Sequence, residues 1–145
     1  MAMHKHRDMG LKLTPQRIAI LDYLKGNRRH PSAEDIYRVV LNKFPTMSFA
    51  TVYTTLAALK EKRKVFELTI DPDKKRYDPE TVSHNHLICV VCKQIVDVTI
   101  GGMPDLPGRE EQGFKIIASH TEFYGLCPDC RKIHPDQEEN HVRRP

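Results

Sequence analysis

The residues with the most specific chemistry are four cysteines, arranged as two Cys-x-x-Cys pairs: Cys89 with Cys92, and Cys127 with Cys130. The chain contains no other cysteine. Two such pairs supply the four thiolates of the tetrahedral sulfur set that zinc prefers. Four protein ligands leave no coordination position open, so we expect a structural zinc site and not a catalytic one.

A thioredoxin-type redox centre is the alternative use of a Cys-x-x-Cys pair. That function needs one pair at the N-terminus of a helix in a βαβ setting, and the sequence predicts this context for neither pair. In a reducing cytosol, disulfides are also the less frequent use of paired cysteines. The spacing therefore favours zinc.

A second group of potential metal ligands accompanies the first cysteine pair. His84 and His86 are separated by one residue on a predicted strand, so both imidazoles project from the same face. Asp97 lies on the next predicted strand. His30 and Asp78, in the N-terminal half, are further candidates. For these two residues the sequence leaves both metal ligation and simple exposure at the surface open. Paired imidazoles beside a carboxylate favour a second metal site at His84 and His86.

Three helices are predicted before these ligands, each with its own start signal. Thr14-Pro15 begins the first, the capping-box pattern from Ser32 to Asp35 begins the second, and Ser48 begins the third. Gly26-Asn27 ends the first helix and Pro45 ends the second. The apolar positions at helical spacing are Ile18, Leu21, Tyr23 and Leu24, then Ile36, Val39, Val40 and Phe44, then Val52, Leu56 and Leu59.

The third helix has the pattern of a helix that enters a DNA major groove, since it is apolar on one side and rich in hydroxyl groups near its start. A strand-forming segment is the alternative interpretation. The residues expected to face away from the core are Thr51, Tyr53, Thr54 and Thr55, with Ser48 at the helix start.

A β-hairpin is predicted next, with strands over Val65–Ile70 and Arg76–Asp78 and a turn at Asp71–Lys74. Three helices followed by a hairpin with a basic tip indicate a winged helix. Lys74 and Lys75, at the tip, are candidates to contact phosphate.

The second half is predicted to be a separate, small domain. Strands are expected over Leu87–Val91, Gln94–Ile100 and Phe114–Leu126, whereas Gly101–Gly113 is too rich in proline and glycine for a long helix. The expected organisation is α+β: a winged helix-turn-helix domain over residues 1–78, a hinge over 79–83, a small α/β metal-binding domain over 84–133, and a charged, disordered tail over 134–145.

Composition sets the limits on function. The 145 residues carry a formal net charge of +4, a modest basic excess that fits a nucleic-acid partner without requiring one. No apolar run approaches the roughly 18 residues of a membrane span. The N-terminus also lacks the apolar core of a secretory signal. We therefore expect a cytoplasmic protein with no membrane partner.

Several motifs in order make the chain resemble the ferric uptake regulator (Fur) family, over about residues 10–133. They are LTPQR at Leu13–Arg17, HPSAEDIY at His30–Tyr37, SFATVYTTL at Ser48–Leu56, HNHLICVVC at His84–Cys92, and YGLCPDC at Tyr124–Cys130. The detail is most similar to the peroxide-responsive (PerR-type) branch, because aspartate stands at Asp97, where iron-sensing relatives tend to carry glutamate.

The resemblance implies a homodimeric repressor that binds double-stranded operator DNA and whose C-terminal domains pair. It implies a regulatory Fe(II) or Mn(II) site formed by His30, Asp78, His84, His86 and Asp97, beside the structural Zn(II) site. It also implies that peroxide converts His30 or His84 to 2-oxo-histidine, with loss of metal and release of DNA. On the DNA face it assigns base reading to the helix at Ser48, Tyr53 above all, and phosphate contacts to Lys12 and Arg17.

Three other functions stay open. An iron-responsive Fur-type repressor with reversible metal binding is the nearest alternative. A zinc- or iron-dependent enzyme is disfavoured, because the sequence offers no general base apart from the ligands and no substrate-binding motif. A zinc-stapled interaction module is disfavoured by the winged-helix half. The sequence departs from the family around His120, which leaves open whether a further metal site exists there.

Overall fold

The computed structural model of the chain describes residues 12–71, 73–101, 106–117, 119 and 121–135. The chain divides into an N-terminal unit, Met1–Thr81, and a C-terminal unit, Val82–Pro145. Among the described residues, the first unit contains three helices and a two-stranded hairpin, and the second contains five strands and one short helix, which confirms the α+β class. His120 and residues 136–145 of the predicted tail lie outside the described residues.

The N-terminal unit contains three helices, α1 (Pro15–Leu24), α2 (Ala33–Leu41) and α3 (Phe49–Glu61). In two of the three helices, the predicted N-cap side chain accepts a hydrogen bond from a backbone amide of the first turn. Thr14 accepts a hydrogen bond from the Arg17 amide, and Ser32 and Asp35 form a complete capping box. Ser48 occupies the N-cap position of α3, but its hydroxyl lies 3.0 Å from the Thr51 hydroxyl and caps no backbone amide.

One apolar core joins the three helices. Its largest fully buried side chains include Ile20, Ile36, Leu56 and Leu59. The sequence pattern missed Ile20 and wrongly included Val39, which is 41% exposed.

Thr55 also departs from prediction, because it is completely buried instead of facing away from the core. Its hydroxyl donates to the Thr51 carbonyl at 2.7 Å, so the polar group is satisfied within the helix. The helical periodicity did place Val52, Leu56 and Leu59 correctly on the buried face.

The predicted hairpin is present and is shorter than expected. Strands β1 (Phe66–Leu68) and β2 (Arg76–Asp78) pair antiparallel, with Glu67 opposite Tyr77. Helices α1 to α3 followed by this hairpin confirm the winged-helix architecture. Strand β2 also touches the loop before α2, since the Tyr77 amide donates to the Pro31 carbonyl at 3.0 Å.

The C-terminal unit is centred on strand β3 (Asn85–Cys89). On one side it pairs antiparallel with β4 (Ile95–Val98). A two-residue hairpin, β5 (Glu110–Glu111) and β6 (Phe114–Lys115), follows in the chain. On its other side β3 pairs parallel with β7 (Glu122–Gly125), which leads into the short helix α4 (Pro128–Ile133).

The prediction of one strand over Phe114–Leu126 is wrong. Strand β6 ends at Lys115 and β7 begins at Glu122. Residues 116, 117, 119 and 121 between them belong to no strand, and β6 and β7 pair with different partners, β5 and β3, despite the β-branched and aromatic residues of the segment. His84 was also expected on a strand and instead precedes β3 by one residue.

The segment Gly101–Gly113 was expected to contain no long helix. Residues 106–113 agree with that expectation, and residues 102–105 lie outside the described part of the chain. The β5–β6 turn was not predicted. Gln112 and Gly113 both have positive φ, 49° and 81°, as a two-residue hairpin turn requires. No helix among the described residues is long and apolar enough to cross a membrane.

The two serine caps provide a matched test of local stability. We expect Ser32→Ala to destabilise the N-terminal unit by about 1 kcal/mol, because it removes the hydroxyl that accepts from the Asp35 amide. Ser48→Ala removes no cap bond and should change stability by less than about 0.5 kcal/mol. Native-state hydrogen exchange of buried amides in α2 and α3 measures both. Equal effects would contradict the assigned capping roles.

Candidate metal centre

The two Cys-x-x-Cys pairs meet because β3 and β7 run parallel. Cys89 is the last residue of β3 and lies opposite Gly125, two residues before Cys127. Parallel neighbours end at the same edge of a sheet, and the Val90 amide extends the pairing to the Gly125 carbonyl at 2.9 Å. Both pairs therefore begin at one edge of the sheet.

The four sulfur atoms form a cluster of the size that zinc requires. All four lie within 4.8 Å of one another, and the Sγ atoms of Cys92 and Cys127 are 3.7 Å apart. A tetrahedron with Zn–S bonds of about 2.3 Å has sulfur–sulfur edges of about 3.8 Å. The donor type, number and spacing fit a structural zinc ion held by Cys89, Cys92, Cys127 and Cys130.

Local backbone geometry positions each pair. After the first pair, Lys93 adopts a positive φ of 61° and its amide donates to the Cys89 carbonyl at 2.9 Å, which closes a tight turn. In the second pair, Cys127 is the N-cap of α4, and its sulfur accepts from the Cys130 amide. The second pair therefore does begin a short helix, but α4 is the last element of the described residues and is not part of a βαβ unit, so neither pair has the context of a redox centre. The clustering of all four sulfurs still favours zinc over a redox pair.

The thiols differ in how readily they ionise. Burial opposes ionisation of Cys89, but backbone amides of Cys127, Cys92 and Val91 donate to its sulfur and lower its pKa to about 6. Burial, followed by the three neighbouring thiols, raises the pKa of Cys130 to about 12. Assembling four thiolates without a cation is thus unfavourable, and a divalent ion would compensate their charge.

His84, His86 and Asp97 form a second donor set within the C-terminal unit. His86 lies directly opposite Asp97 across the β3–β4 ladder, so their side chains share one face of the sheet. The Nε2 atoms of His84 and His86 lie 3.3 and 3.8 Å from the same oxygen, Oδ1 of Asp97. His86 is almost fully buried, while the other two side chains are 17% and 18% exposed.

The ring orientation of His84 is fixed by a backbone contact. Its Nδ1 lies 2.8 Å from the Val82 carbonyl, and a carbonyl only accepts, so Nδ1 must carry the hydrogen. In the neutral imidazole Nε2 then holds the lone pair, and Nε2 is the atom turned toward Asp97. A backbone partner that sets the tautomer in this way is typical of metal-binding histidines.

His30 and Asp78 form a donor pair within the N-terminal unit. Their side chains are 0% and 2% exposed, and His30 Nε2 lies 3.6 Å from Asp78 Oδ2. The other oxygen of Asp78, Oδ1, accepts from the Glu80 amide at 2.8 Å. A fully buried imidazole beside a carboxylate can bind a metal cation as well as share a proton.

The backbone of His30 is in an uncommon conformation, which local contacts support. Its φ is 49°, in the left-handed region that side-chain-bearing residues seldom adopt, at a cost of about 1–3 kcal/mol. The Arg76 guanidinium donates to the His30 carbonyl at 3.4 Å, and the Tyr77 amide holds the adjacent Pro31 carbonyl. Strand β2 therefore positions both His30 and its own Asp78.

The predicted DNA-contacting residues have different surroundings. Tyr53 is 44% exposed and its ring meets Phe49 edge to face at 4.9 Å. Ser48 and Thr54 are exposed, while Thr51 is partly buried. At the start of α1, Arg17 donates to the carbonyl of the exposed Lys12 at 3.0 Å.

Comparison with known proteins decides the family. Residues 8–124 match the Ferric uptake regulator family. The chain belongs to this family. Its members are metal-dependent, DNA-binding transcriptional regulators that function as dimers, and they are not enzymes.

Two relatives of the chain are named as regulators of the response to peroxide. The chain is 39% identical to the peroxide operon regulator of Bacillus subtilis over 142 residues, 97% of this chain and 94% of the relative. It is 35% identical to the peroxide-responsive repressor PerR of Staphylococcus epidermidis, over 87% of this chain and 85% of the relative. These similarities support a metal-dependent repressor for peroxide regulation.

A solved structure supports the same fold. The ferric uptake regulator of Francisella tularensis, determined with iron, is similar with a TM-score of 0.71 and 28% identity. The alignment covers 84% of this chain and 96% of that one.

Two residues make contacts between different elements that the sequence analysis did not identify. Arg76 was predicted only as the first residue of a hairpin strand, yet it contacts the His30 backbone. Glu67 was one residue of a hairpin strand, yet it binds lysines of both α3 and the hairpin loop. Alternation along β1 and β2 identifies which side chains share a face, but it does not identify their partners in other elements.

Cys92 offers a direct test of the sulfur cluster. We expect Cys92→Ser to remove stoichiometric zinc and to unfold the C-terminal unit, because structural zinc contributes on the order of 10 kcal/mol to small domains. Zinc content by mass spectrometry and the dispersion of amide resonances measure the two effects. Val91→Ser, at an exposed neighbour, is the control. A C92S protein that keeps one zinc per chain and a folded sheet would disprove the assignment.

Proposed function

We propose that this chain is a PerR-type repressor that senses hydrogen peroxide through a regulatory metal shared by its two units. The observation that carries the proposal is the donor set. His30 and Asp78 form a buried pair in the N-terminal unit, and His84, His86 and Asp97 converge in the C-terminal unit. One ion bound by both groups would make the relative placement of the units depend on metal.

The donor types match the chemistry. Three neutral imidazoles and two carboxylates neutralise a divalent cation and suit Fe(II) or Mn(II). His30, Asp78, His84, His86 and Asp97 would hold the ion. When bound, Fe(II) supplies the reducing power that activates peroxide, which Mn(II) does far less readily.

The residues of the chain determine where the oxidation occurs. A ring C–H bond of His30 or His84 is replaced by a C–O bond; the second oxygen of the peroxide leaves as water. The product, 2-oxo-histidine, is a poor ligand. The backbone contact at His84 Nδ1 and the buried position of His30 hold both rings in fixed orientations while they are ligands.

Loss of the metal would then release DNA. The ligands lie on both sides of the segment Pro79–Ser83, which we propose as the hinge. With the metal bound, these ligands would hold the reading helices of a homodimer at the spacing of two operator half-sites, and loss of the metal would remove that restraint. The base-reading face is proposed to be the start of α3, with Ser48, Thr51, Tyr53 and Thr54.

Oxidation of the ligands is the direct test. After brief peroxide treatment of the Fe(II) protein, we expect the peptides holding His30 or His84 to gain one oxygen atom and the affinity for operator DNA to fall by at least about tenfold. His134, outside both donor sets, is the internal control and should stay unmodified. Peptide mass spectrometry and fluorescence anisotropy measure the two outcomes.

Two further forms of the protein sharpen this test. The Mn(II) form should resist peroxide, and Asp97→Glu should slow the oxidation, since a longer carboxylate changes the metal environment. Retention of DNA affinity by the peroxide-treated Fe(II) protein would contradict peroxide sensing and leave the iron-responsive repressor as the function.

Arg17 tests the proposed DNA face. We expect Arg17→Ala to weaken binding to operator and random duplexes alike, and to reduce the salt dependence of log K by about 0.9 for each phosphate that is no longer neutralised. Arg38→Ala, which removes an exposed charge from α2, is the matched control and should have little effect. Salt titrations by fluorescence anisotropy provide the slopes. Identical slopes for wild type and R17A would exclude a phosphate contact at Arg17.

A further inference from the structure

The groove between α3 and the β1–β2 hairpin contains a charge arrangement that the metal-sensing function does not use. It has a volume of about 340 Å³, and its lining includes Tyr53, Lys60, Glu67, Lys75 and Tyr77. Tyr53, the proposed base-reading residue, and Lys60 are seven positions apart on α3, so both lie on one face of the helix. The groove therefore borders the proposed DNA-reading face.

A single carboxylate oxygen organises this groove. Oε1 of Glu67 lies 2.9 Å from the Lys60 ammonium and 3.2 Å from the Lys75 ammonium. The Glu67 side chain is only 14% exposed, whereas the lysine side chains are 53% and 52% exposed. We call these three residues the Glu67 bridge. It joins the helix to the hairpin loop and reduces two positive charges to a net charge of one.

Glu67 stays ionised in this position. Burial opposes its ionisation, but hydrogen bonds from Lys60 and Lys75 outweigh that effect and lower its pKa below the ordinary value. The carboxylate also contributes to raising the pKa of Tyr77 to about 12, after burial, so that the phenol beside it remains neutral. At neutral pH the Glu67 carboxylate is therefore a fixed anion between two exposed cations, in a groove that Glu34, Asp73 and Lys74 also line.

We propose that Glu67 restrains non-specific DNA binding by holding Lys60 and Lys75 on one carboxylate oxygen beside the DNA-reading face. This inference rests on the proposed DNA-binding function. Non-specific affinity depends on how many phosphates the protein neutralises. A lysine held by a carboxylate must break that ion pair before it can contact phosphate, and the buried anion repels the DNA backbone. The residues proposed to read bases, Ser48, Thr51, Tyr53 and Thr54, do not include these two cations, so the bridge would increase the ratio of specific to non-specific affinity.

The test compares two variants with the same change in net charge. Glu67→Gln breaks the ionic bridge, whereas Glu61→Gln removes an exposed carboxylate next to Lys60 in sequence that is not part of the bridge. With the Mn(II)-bound full chain and a random-sequence duplex, we expect E67Q to bind about three- to tenfold more tightly than E61Q. The slope of log K against log salt should be steeper by about 0.9 for each additional phosphate that the freed lysines neutralise. Operator affinity should change less than random-duplex affinity.

Two further variants distinguish an effect of the freed lysines from a general effect of removing the Glu67 side chain. Adding Lys75→Gln to E67Q should return the salt slope toward that of wild type, because the released cation is gone. Glu67→Asp keeps the negative charge on a shorter side chain, so it should increase the affinity for random-sequence DNA less than E67Q does. Because E67D does not carry the Glu67→Gln change, it keeps the inference testable even if E67Q itself folds poorly.

The outcomes separate this inference from the function on which it rests. If wild type binds the operator and the slopes of E67Q and E61Q agree, Glu67 is only a structural tie between helix and hairpin and the inference is wrong. If wild type binds no duplex under any metal condition, the DNA-binding function is overturned, and this inference with it.

Discussion

The position of β3 between β4 and β7 is the constraint on which both donor sets of the C-terminal unit depend. Antiparallel pairing with β4 places His86 opposite Asp97, and parallel pairing with β7 brings Cys89 to the edge where Cys127 follows. His86 and Cys89 are three residues apart on this one strand. Displacement of β3 by two residues against either neighbour would separate one set of ligands, so sheet register and metal chemistry are fixed together.

In the N-terminal unit, strand β2 has a comparable role. Asp78 ends the strand, while the amide of Tyr77 and the side chain of Arg76 hold the backbone of the loop that carries His30. That loop leads directly into the capping box of α2, whose acceptor Asp35 also lies 3.8 Å from the Arg76 guanidinium. The hairpin of the winged helix thus supports both a DNA-binding architecture and a buried donor pair.

Much of this arrangement was predictable from the sequence, because it depends on local rules. The capping signals at Thr14 and Ser32 act over three residues, and the Cys-x-x-Cys spacing requires only a tight turn. The helical periodicity of α3 identified Val52, Leu56 and Leu59 as core.

The failures have a common physical origin, since they depend on partners that the local pattern does not reveal. The segment Phe114–Leu126 has strand-forming residues at many positions, but it is divided by pairing with two different strands. Thr55 was expected outside the core because hydroxyl groups favour water; its bond to the Thr51 carbonyl removes that preference. The short helix at Cys127 is too brief to give a periodic signal.

The parallel pairing of β3 with β7 has a consequence for how the chain reaches this structure. The contact between the Cys127 amide and the Cys89 sulfur spans 38 residues, and closing a loop of that length has an entropic cost that local helix contacts avoid. During synthesis, α1 to α3 and their hairpin are complete long before β7 exists. The N-terminal helices can therefore fold early, whereas the central sheet must wait for nearly the whole chain, and zinc capture is among its last steps.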